Sequence, residues 1–242
     1  MTTQFRPGLE AKVAVVTGGA SGIGASVVDM LRESGATVLC VDIAAEPTEC
    51  RVDITDDRSV KNLAATIRRI HGHCNILVNC AGTIAVGTAT ECSSEDWDRV
   101  FAVNVRAAWS MSKHLIPLMP HGSTIVNVAS GAGLRAIPDM VAYVAAKHAL
   151  VGLTRAMAID HARDGVRVNC VCPGLVDTPL ARQAQKERPA RSCQSIAAYD
   201  SYLIKRSATS VEIAQSICFL ASDASSYTTG ACLAVDGGRS MH

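Results

Sequence analysis

Short β-branched apolar runs alternate along this chain with longer stretches whose apolar positions recur at helical spacing. Lys12–Thr17 reads as a first strand, and Gly22–Glu33 as a helix entered through a Gly-rich turn. Gly35 stops that helix. Thr37–Val41 is a second strand, and Arg51–Val52 a short third. Asp57–Ile70 has the pattern of an amphipathic helix and Ile76–Asn79 that of a fourth strand. Ser94–Leu118 contains a long helix that ends near Pro117 and Pro120. Ser123–Val128 and Val166–Val171 read as fifth and sixth strands on either side of a long helix, Met140–His161. Val211–Ala221 is a last helix and Cys232–Val235 a last strand. Strands that are apolar throughout, separated by helices, predict a parallel sheet covered on both faces. The fold class is therefore α/β, a doubly wound Rossmann-type domain. No linker, repeat or low-complexity tract interrupts it, so residues 1–242 are expected to form one domain. One segment departs from the pattern: 179–210 is polar, charged and irregular. It is expected as a lid on the carboxyl edge of the sheet, where ligands bind in such folds.

Composition narrows the picture by exclusion. A chain of 242 residues with 48% hydrophobic residues and a mean hydropathy of +0.20 has ample material for a core. A net charge of +1 supplies no field to recruit nucleic acid or an anionic membrane. No uninterrupted apolar stretch is long enough for a membrane span. The start, Met1–Arg6, is polar and lacks the apolar segment of a secretory signal. The ten cysteines are scattered, mostly in apolar runs, with no Cys-x-x-Cys. They read as reduced core residues of a cytoplasmic protein, and no metal site is expected.

Chemistry enters with the turn after the first strand, Thr17-Gly18-Gly19-Ala20-Ser21-Gly22-Ile23-Gly24. Its Gly-x-x-x-Gly-x-Gly spacing permits a tight turn and a close backbone approach to a pyrophosphate. The helix that follows offers free N–H groups and a favourable dipole. Asp42 ends the second strand, where a carboxylate can accept hydrogen bonds from adenosine ribose hydroxyls and would repel a 2′-phosphate. No Arg or Lys within residues 17–24 or just after Asp42 offsets that charge, so NAD is preferred over NADP. Asp53, with Ile54 beside it, can face an adenine amino group or cap the next helix. Asn79-Cys80-Ala81-Gly82 leaves the fourth strand with small residues that let a ribose approach. In Pro173-Gly174-Leu175-Val176-Asp177-Thr178, the break places backbone groups and the Thr178 hydroxyl over the carboxyl edge. Ser130 ends the fifth strand, where its hydroxyl can donate to a substrate carbonyl oxygen. Asn104 lies inside a helix, where Asn is a mediocre helix former and, if buried, needs partners. Tyr143 and Lys147 stand four apart on one helix face, so an ammonium lies beside a phenol. Such a charge favours the phenolate and lowers the usual pKa of about 10 towards neutral.

The order of these motifs closely resembles the short-chain dehydrogenase/reductase family, from about Lys12 to Gly238. The resemblance implies a seven-stranded parallel sheet, usually assembled as a homotetramer or homodimer. It implies that Tyr143 is the general acid/base and that Lys147 lowers its pKa and holds the nicotinamide ribose. Ser130 would orient the substrate oxygen, and Asn104 would hold a proton-relay water. Thr17, Gly18, Ser21, Gly22, Ile23, Gly24, Asp42, Asp53, Ile54, Asn79, Ala81, Gly82, Pro173, Gly174, Val176 and Thr178 would line the NAD site with Tyr143 and Lys147. Two features depart from the family pattern. The connection from Asp42 to Asp53 is too short for the usual helix, and Cys80 stands where the family most often has a second Asn.

The resemblance implies an oxidoreductase that interconverts a secondary alcohol and a ketone. An NADPH-dependent carbonyl or 3-oxoacyl reductase and a non-catalytic dinucleotide-binding regulator are the alternatives. Ala132, Leu134, Ile137, Pro138 and the lid are expected to shape the substrate pocket. Arg135 and the lid residues Arg182, Lys186, Arg188 and Arg191 can bind an anionic group or form a solvated face.

Overall fold

The computed structural model describes residues 8–44, 50–187 and 201–241. Seven strands form one parallel sheet in the order β3-β2-β1-β4-β5-β6-β7. They are β1 Val13–Thr17, β2 Thr37–Asp42, β3 Cys50–Arg51, β4 Ile76–Asn79, β5 Thr124–Val128, β6 Arg167–Pro173 and β7 Cys232–Val235. The third strand begins one residue earlier than the hydrophobic pattern predicts, and Val52 lies beyond it. Among the described residues the α-helices are α1 Gly22–Glu33, α2 Asp57–His71, α3 Ser94–Phe101, α4 Ala107–Leu115, α5 Val141–Asp160, α6 Pro179–Glu187 and α7 Ser210–Ala221. The predicted lid is thus partly helical, in α6. Arg188 and Arg191 lie outside the described residues.

The sheet sorts its side chains by the two-residue period of a strand. Ala14 and Val16 pack with Val27 and Leu31 of α1 and Ile213 and Ile217 of α7. Val15 points the other way, into a cluster with Ile67 of α2, Met111 and Leu115 of α4 and Met157 of α5. Each fully buried Leu, Ile or Met in these layers stabilises the fold by about 1.5–3 kcal/mol. Because both faces are covered, the apolar continuity of β1, β4 and β5 is a burial requirement rather than a sign of a membrane segment.

The long helix expected over 94–118 is broken. A π-helical turn, Ala102–Arg106, separates α3 from α4, and a 3₁₀ turn over Ile116–Leu118 ends the run. Asn104 sits in the π turn, 1% exposed, and donates to the carbonyls of Val100 at 2.9 Å and Thr83 at 2.8 Å. The side chain thereby competes with the backbone for helix carbonyls, a common setting for a π-bulge.

β1 and β4 are neighbours in the sheet although β2 and β3 intervene in sequence. The chain winds outward in both directions from this pair, so the loops at their carboxyl ends diverge and open a crevice. A buried polar ladder holds the ends of the central strands beneath it. Asn79 Nδ2 donates to Asn127 Oδ1 at 2.9 Å, and Asn127 Nδ2 donates to Thr154 Oγ1 at 2.9 Å. We expect Asn127→Ala to cost about 1–3 kcal/mol, because it strands the Asn79 amide in the interior. A fall in the urea unfolding midpoint would show it; an unchanged midpoint would rule out this role for the ladder.

Candidate active site

The crevice is a cleft of about 1070 Å³ along the carboxyl edge. One end is built by the Gly-rich turn. Gly18 has φ +66°, and a Cβ there would lie 2.7 Å from the Ala81 Cα. A Cβ on Gly24 would run into the Gly18 carbonyl. These glycines therefore serve close backbone packing as much as ligand approach. Ser21 precedes α1 in extended conformation without a side-chain cap, and the first turn carries no acidic residue. The N–H groups of that turn are left free of a side-chain acceptor, and Ser21, Gly22, Ile23 and Gly24 all line the cleft. This is an anion cradle at a helix N-terminus.

Asp42 also lines the cleft, with its carboxylate accepting from the N–H groups of Ala20 at 3.2 Å and Ala44 at 3.0 Å. The sheet brings in a residue that local spacing did not reveal: Arg51 is the register partner of Asp42 on β3. Arg51 makes no ion pair with Asp42 among the described residues and does not line the cleft. Asp53 and Ile54 do line it. Asp53 accepts from the Thr55 N–H and hydroxyl, while Asp56 caps α2 through the N–H groups of Arg58 and Ser59.

Ala81, Gly82, Pro173, Gly174, Val176 and Thr178 form further walls. The Thr178 hydroxyl accepts from the Ala181 N–H at 3.2 Å, so it also caps α6. Two predicted contact residues do not reach the cleft wall. Thr17 is 1% exposed and its hydroxyl accepts from the N–H groups of Cys80 and Ala81. Asn79 is 4% exposed and spends its amide on the buried ladder. Thr17 holds the loop that forms the wall and Asn79 braces the strand beneath it, because strand residues next to the edge point into the sheet packing rather than out of it.

The other end gathers the acid–base residues. Ser130 leaves β5 in extended conformation and caps a 3₁₀ turn, Gly131–Gly133, through the Ala132 N–H at 3.1 Å. A Cβ on Gly133 would lie 2.7 Å from the Lys147 carbonyl oxygen. That close approach seats the Ser130 turn on α5 and brings Ser130 to Tyr143, whose side chains hydrogen-bond. Lys147 lies one turn along α5, 3% exposed, with Nζ donating to the Val128 carbonyl at 2.9 Å. Burial pushes this lysine down to about 8.

The expected depression of the Tyr143 phenol by Lys147 is not what this structure shows. Burial raises the phenol, and the hydrogen bond with Ser130 is what pulls it back. The ammonium stands 5.6 Å from the ring centroid and is directed at Val128 rather than at the hydroxyl. Helical spacing put the two residues on one face but could not set the direction of a flexible lysine. Asn104 does not line the cleft, yet it approaches Lys147 through Gly82. A Cβ on Gly82 would lie 3.1 Å from Asn104 Oδ1 and 3.7 Å from Lys147 Nζ. Asn104 Oδ1 is buried without a hydrogen-bond partner.

The substrate end includes Tyr202 of the expected lid and adds two residues that sequence reasoning passed over, Asp236 and Arg239. Asp236 is 7% exposed and ties down the final turn by accepting from Gly238 N–H at 3.0 Å and Ser240 N–H at 2.8 Å. Arg135, singled out from its loop, donates to the Arg239 carbonyl at 3.2 Å. Arg182 pairs with Asp177 at 3.5 Å on the exposed rim. No local signal marks the C-terminal residues, since β7 must pair with β6 before they reach the cleft. Among the described residues no cluster of three or more His, Cys, Asp or Glu could hold a metal ion. No described helix is long and apolar enough to cross a membrane.

Comparison with known proteins fits this geometry. A family model described as enoyl-(acyl carrier protein) reductase matches residues 18–240. Oxidoreductase UcpA of Salmonella typhimurium is 33% identical, with 96% of each chain covered. The ligand-free aldohexose dehydrogenase of Thermoplasma acidophilum superposes with a TM-score of 0.87 at 34% identity, covering 97% of this chain and 96% of that one. The chain belongs to the short-chain dehydrogenase/reductase family. A further structure is a putative NAD(P)-dependent gluconate 5-dehydrogenase from Beutenbergia cavernae, described with bound NADP at low occupancy. It has a TM-score of 0.87 at 32% identity, covering 98% of this chain and 100% of that one.

Short-chain dehydrogenase/reductases are oxidoreductases that bind a nicotinamide dinucleotide. The residues present fit that group: glycine turns that a Cβ would block, open N–H groups on α1 and the unpartnered Asn104 Oδ1 beside Lys147. In this short-chain dehydrogenase/reductase the buried lysine also predicts a pH signature. Its folded pKa lies below its unfolded value near 10.5, so the charge destabilises the fold below about 8 and ceases to do so as pH rises to 10.5. Lys147→Met should raise stability on the order of 3 kcal/mol at pH 7, an advantage that shrinks by pH 10. Urea melts at both pH values test this; an advantage that stays constant with pH would refute it.

Proposed function

We propose that this protein interconverts a secondary alcohol and a ketone, with NAD as its preferred dinucleotide and Tyr143 as general acid/base. The observation that carries the reading is the hydrogen-bonded Ser130–Tyr143 pair on the cleft wall, with the buried Lys147 one helical turn away. When bound, the dinucleotide supplies the hydride acceptor in oxidation and the donor in reduction. The chain does the rest by positioning and proton transfer. The Ser130 hydroxyl orients the substrate oxygen. Tyr143 takes the hydroxyl proton during oxidation and returns it to the forming alkoxide during reduction. The Lys147 ammonium, 5.6 Å from the Tyr143 ring, would favour the phenolate that forms between these events and would hold the nicotinamide ribose. Asn104 Oδ1, facing Lys147 across Gly82, offers the next acceptor on a proton path to solvent.

The preference for NAD rests on Asp42, whose carboxylate borders the cleft next to the α1 cradle and would repel a 2′-phosphate. NADPH-dependent carbonyl or 3-oxoacyl reduction is the second reading. The NADP in the gluconate 5-dehydrogenase structure and the placement of Arg51 beside Asp42 favour it. The reading also includes a small-molecule alcohol or ketone as sole substrate class, a cytoplasmic setting, and assembly as a homotetramer or homodimer. Exposed Trp109 on α4 and Phe219 on α7 support such an assembly.

Screening NAD reduction against secondary alcohols, sugars and hydroxy acids tests the activity. Tyr143→Phe should lower kcat by about 100- to 10,000-fold while NAD binding, read by fluorescence titration, is retained. Full activity in that variant would sink the mechanism, and NAD binding with no turnover across the panel would favour a non-catalytic regulator. Asp42→Ser should raise the ratio of NADP to NAD in kcat/KM by about tenfold or more, through loss of one like-charge repulsion. A ratio that moves only in Arg51→Ala would transfer the selectivity argument to that residue.

A further inference from the structure

Three cysteines that the proposed chemistry does not use meet on one face of the sheet. Cys170 and Cys172 lie two apart on β6, and their sulfurs are 3.8 Å apart. Cys232 on β7 is the register partner of Cys170. All three belong to the apolar layer beneath Leu150 and Val151 of α5. Cys170 and Cys172 are fully buried, whereas Cys232, on the last strand of the sheet, is partly exposed. This geometry meets the first requirement of a cross-link. Paired residues on adjacent strands stand about 4.8 Å apart, inside the Cα separation that a disulfide spans.

The two thiols also differ in kind. The Cys232 thiol is held below the ordinary cysteine range, first by the Cys170 thiol that hydrogen-bonds to it and also by the Arg155 guanidinium on α5. The Cys170 thiol is pushed up first by its hydrogen bond with Cys172, then by that with Cys232 and by burial. The ammonium of Lys147 also acts on Cys170 and Cys172. Elsewhere burial works against ionisation: Cys74, Cys80 and Cys218 are pushed up to about 12, and Cys92 is raised as well. A thiolate is the nucleophile towards peroxide. Cys172 is also held below the ordinary range by its hydrogen bond with Cys170, but it is fully buried, so it is reach that singles out Cys232.

We propose that Cys232 and Cys170 form a peroxide-responsive thiol pair, with Cys232 oxidised first and Cys170 resolving it. The Cys232 thiolate attacks one oxygen of hydrogen peroxide, the O–O bond breaks, and protonation of the leaving hydroxide gives water and a sulfenic acid. The Cys170 sulfur then attacks the Cys232 sulfur. The S–O bond breaks as the S–S bond forms, and a second water leaves with the Cys170 proton. Peroxide is reduced by two electrons and the pair of thiols is oxidised by two. A bridge confined to two adjacent parallel strands is short and constrained, the kind that thiols reopen readily.

The test uses the purified full-length protein and no turnover assay, so it stands apart from the dehydrogenase reading. Reduced protein is treated with a few equivalents of hydrogen peroxide, alkylated and digested with trypsin without reduction. Cys170 and Cys172 fall in peptide 168–182, and Cys218 and Cys232 in peptide 207–239. The expected product joins these peptides with the loss of two hydrogen atoms, and fragment ions place the bond between Cys170 and Cys232. Dithiothreitol should reverse it, Cys232→Ser should abolish it and Cys172→Ser should leave it. Unchanged circular dichroism and thermal midpoint would show that each variant is folded. No link in the treated wild type, a link through Cys172 or Cys218, or a link that persists in Cys232→Ser would overturn the proposal.

Discussion

A lysine ammonium shut inside the domain is the constraint around which the site is built. Lys147 is 3% exposed, and the hydrogen bond from its Nζ runs to the Val128 carbonyl at the end of β5. A buried charge with so little compensation is costly, which is why burial draws its pKa down to about 8. Several neighbours must be small or fixed for this arrangement to exist. Gly82 leaves room beside Nζ, Gly133 allows the Ser130 turn to rest on the Lys147 backbone, and Asn104 turns an unpartnered oxygen towards the same space. Loss of one such feature would disturb the tyrosine, the serine and the lysine together.

The sheet explains why these groups share a cleft with a dinucleotide cradle far away in sequence. Parallel strands put every carboxyl end on the same edge, and the divergence at β1 and β4 opens that edge. The Gly-rich turn follows β1, Gly82 follows β4, Ser130 follows β5 and Thr178 follows β6. Residues that belong to different turns thus become neighbours without any one turn being unusual. The residues just inside the edge carry a different duty. Thr17 holds the Cys80–Ala81 backbone, and Asn79, Asn127 and Thr154 cross-brace the central strands.

Much of this was legible from the chain alone because the signals are local and periodic. The strands, the helix carrying Tyr143 and Lys147 and the Gly-rich turn before α1 were all readable from spacing. Where the reading fell short, the deciding contact came from another element. Thr17 and Asn79 look like cofactor contacts in sequence, but the pleat directs them inward. The break at Asn104 depends on the Thr83 carbonyl, 21 residues away. Arg51 stands beside Asp42 only because β3 pairs with β2. The direction of the Tyr143 shift follows from how much protein surrounds the phenol, which helical spacing does not report.

The sequence by itself determined the class of fold, the family and the residue types available for proton transfer. Hydrophobic period, turn chemistry and motif order act over a few residues and survive in a linear reading. Only the tertiary structure decided the direction of each side chain, the environment of each charge, and which distant residues meet. The reason is physical: burial and hydrogen-bond partnership are properties of the whole packed domain. The same tyrosine and lysine, four apart on one helix, would titrate differently on a solvated surface than against β5 and the Gly82 loop.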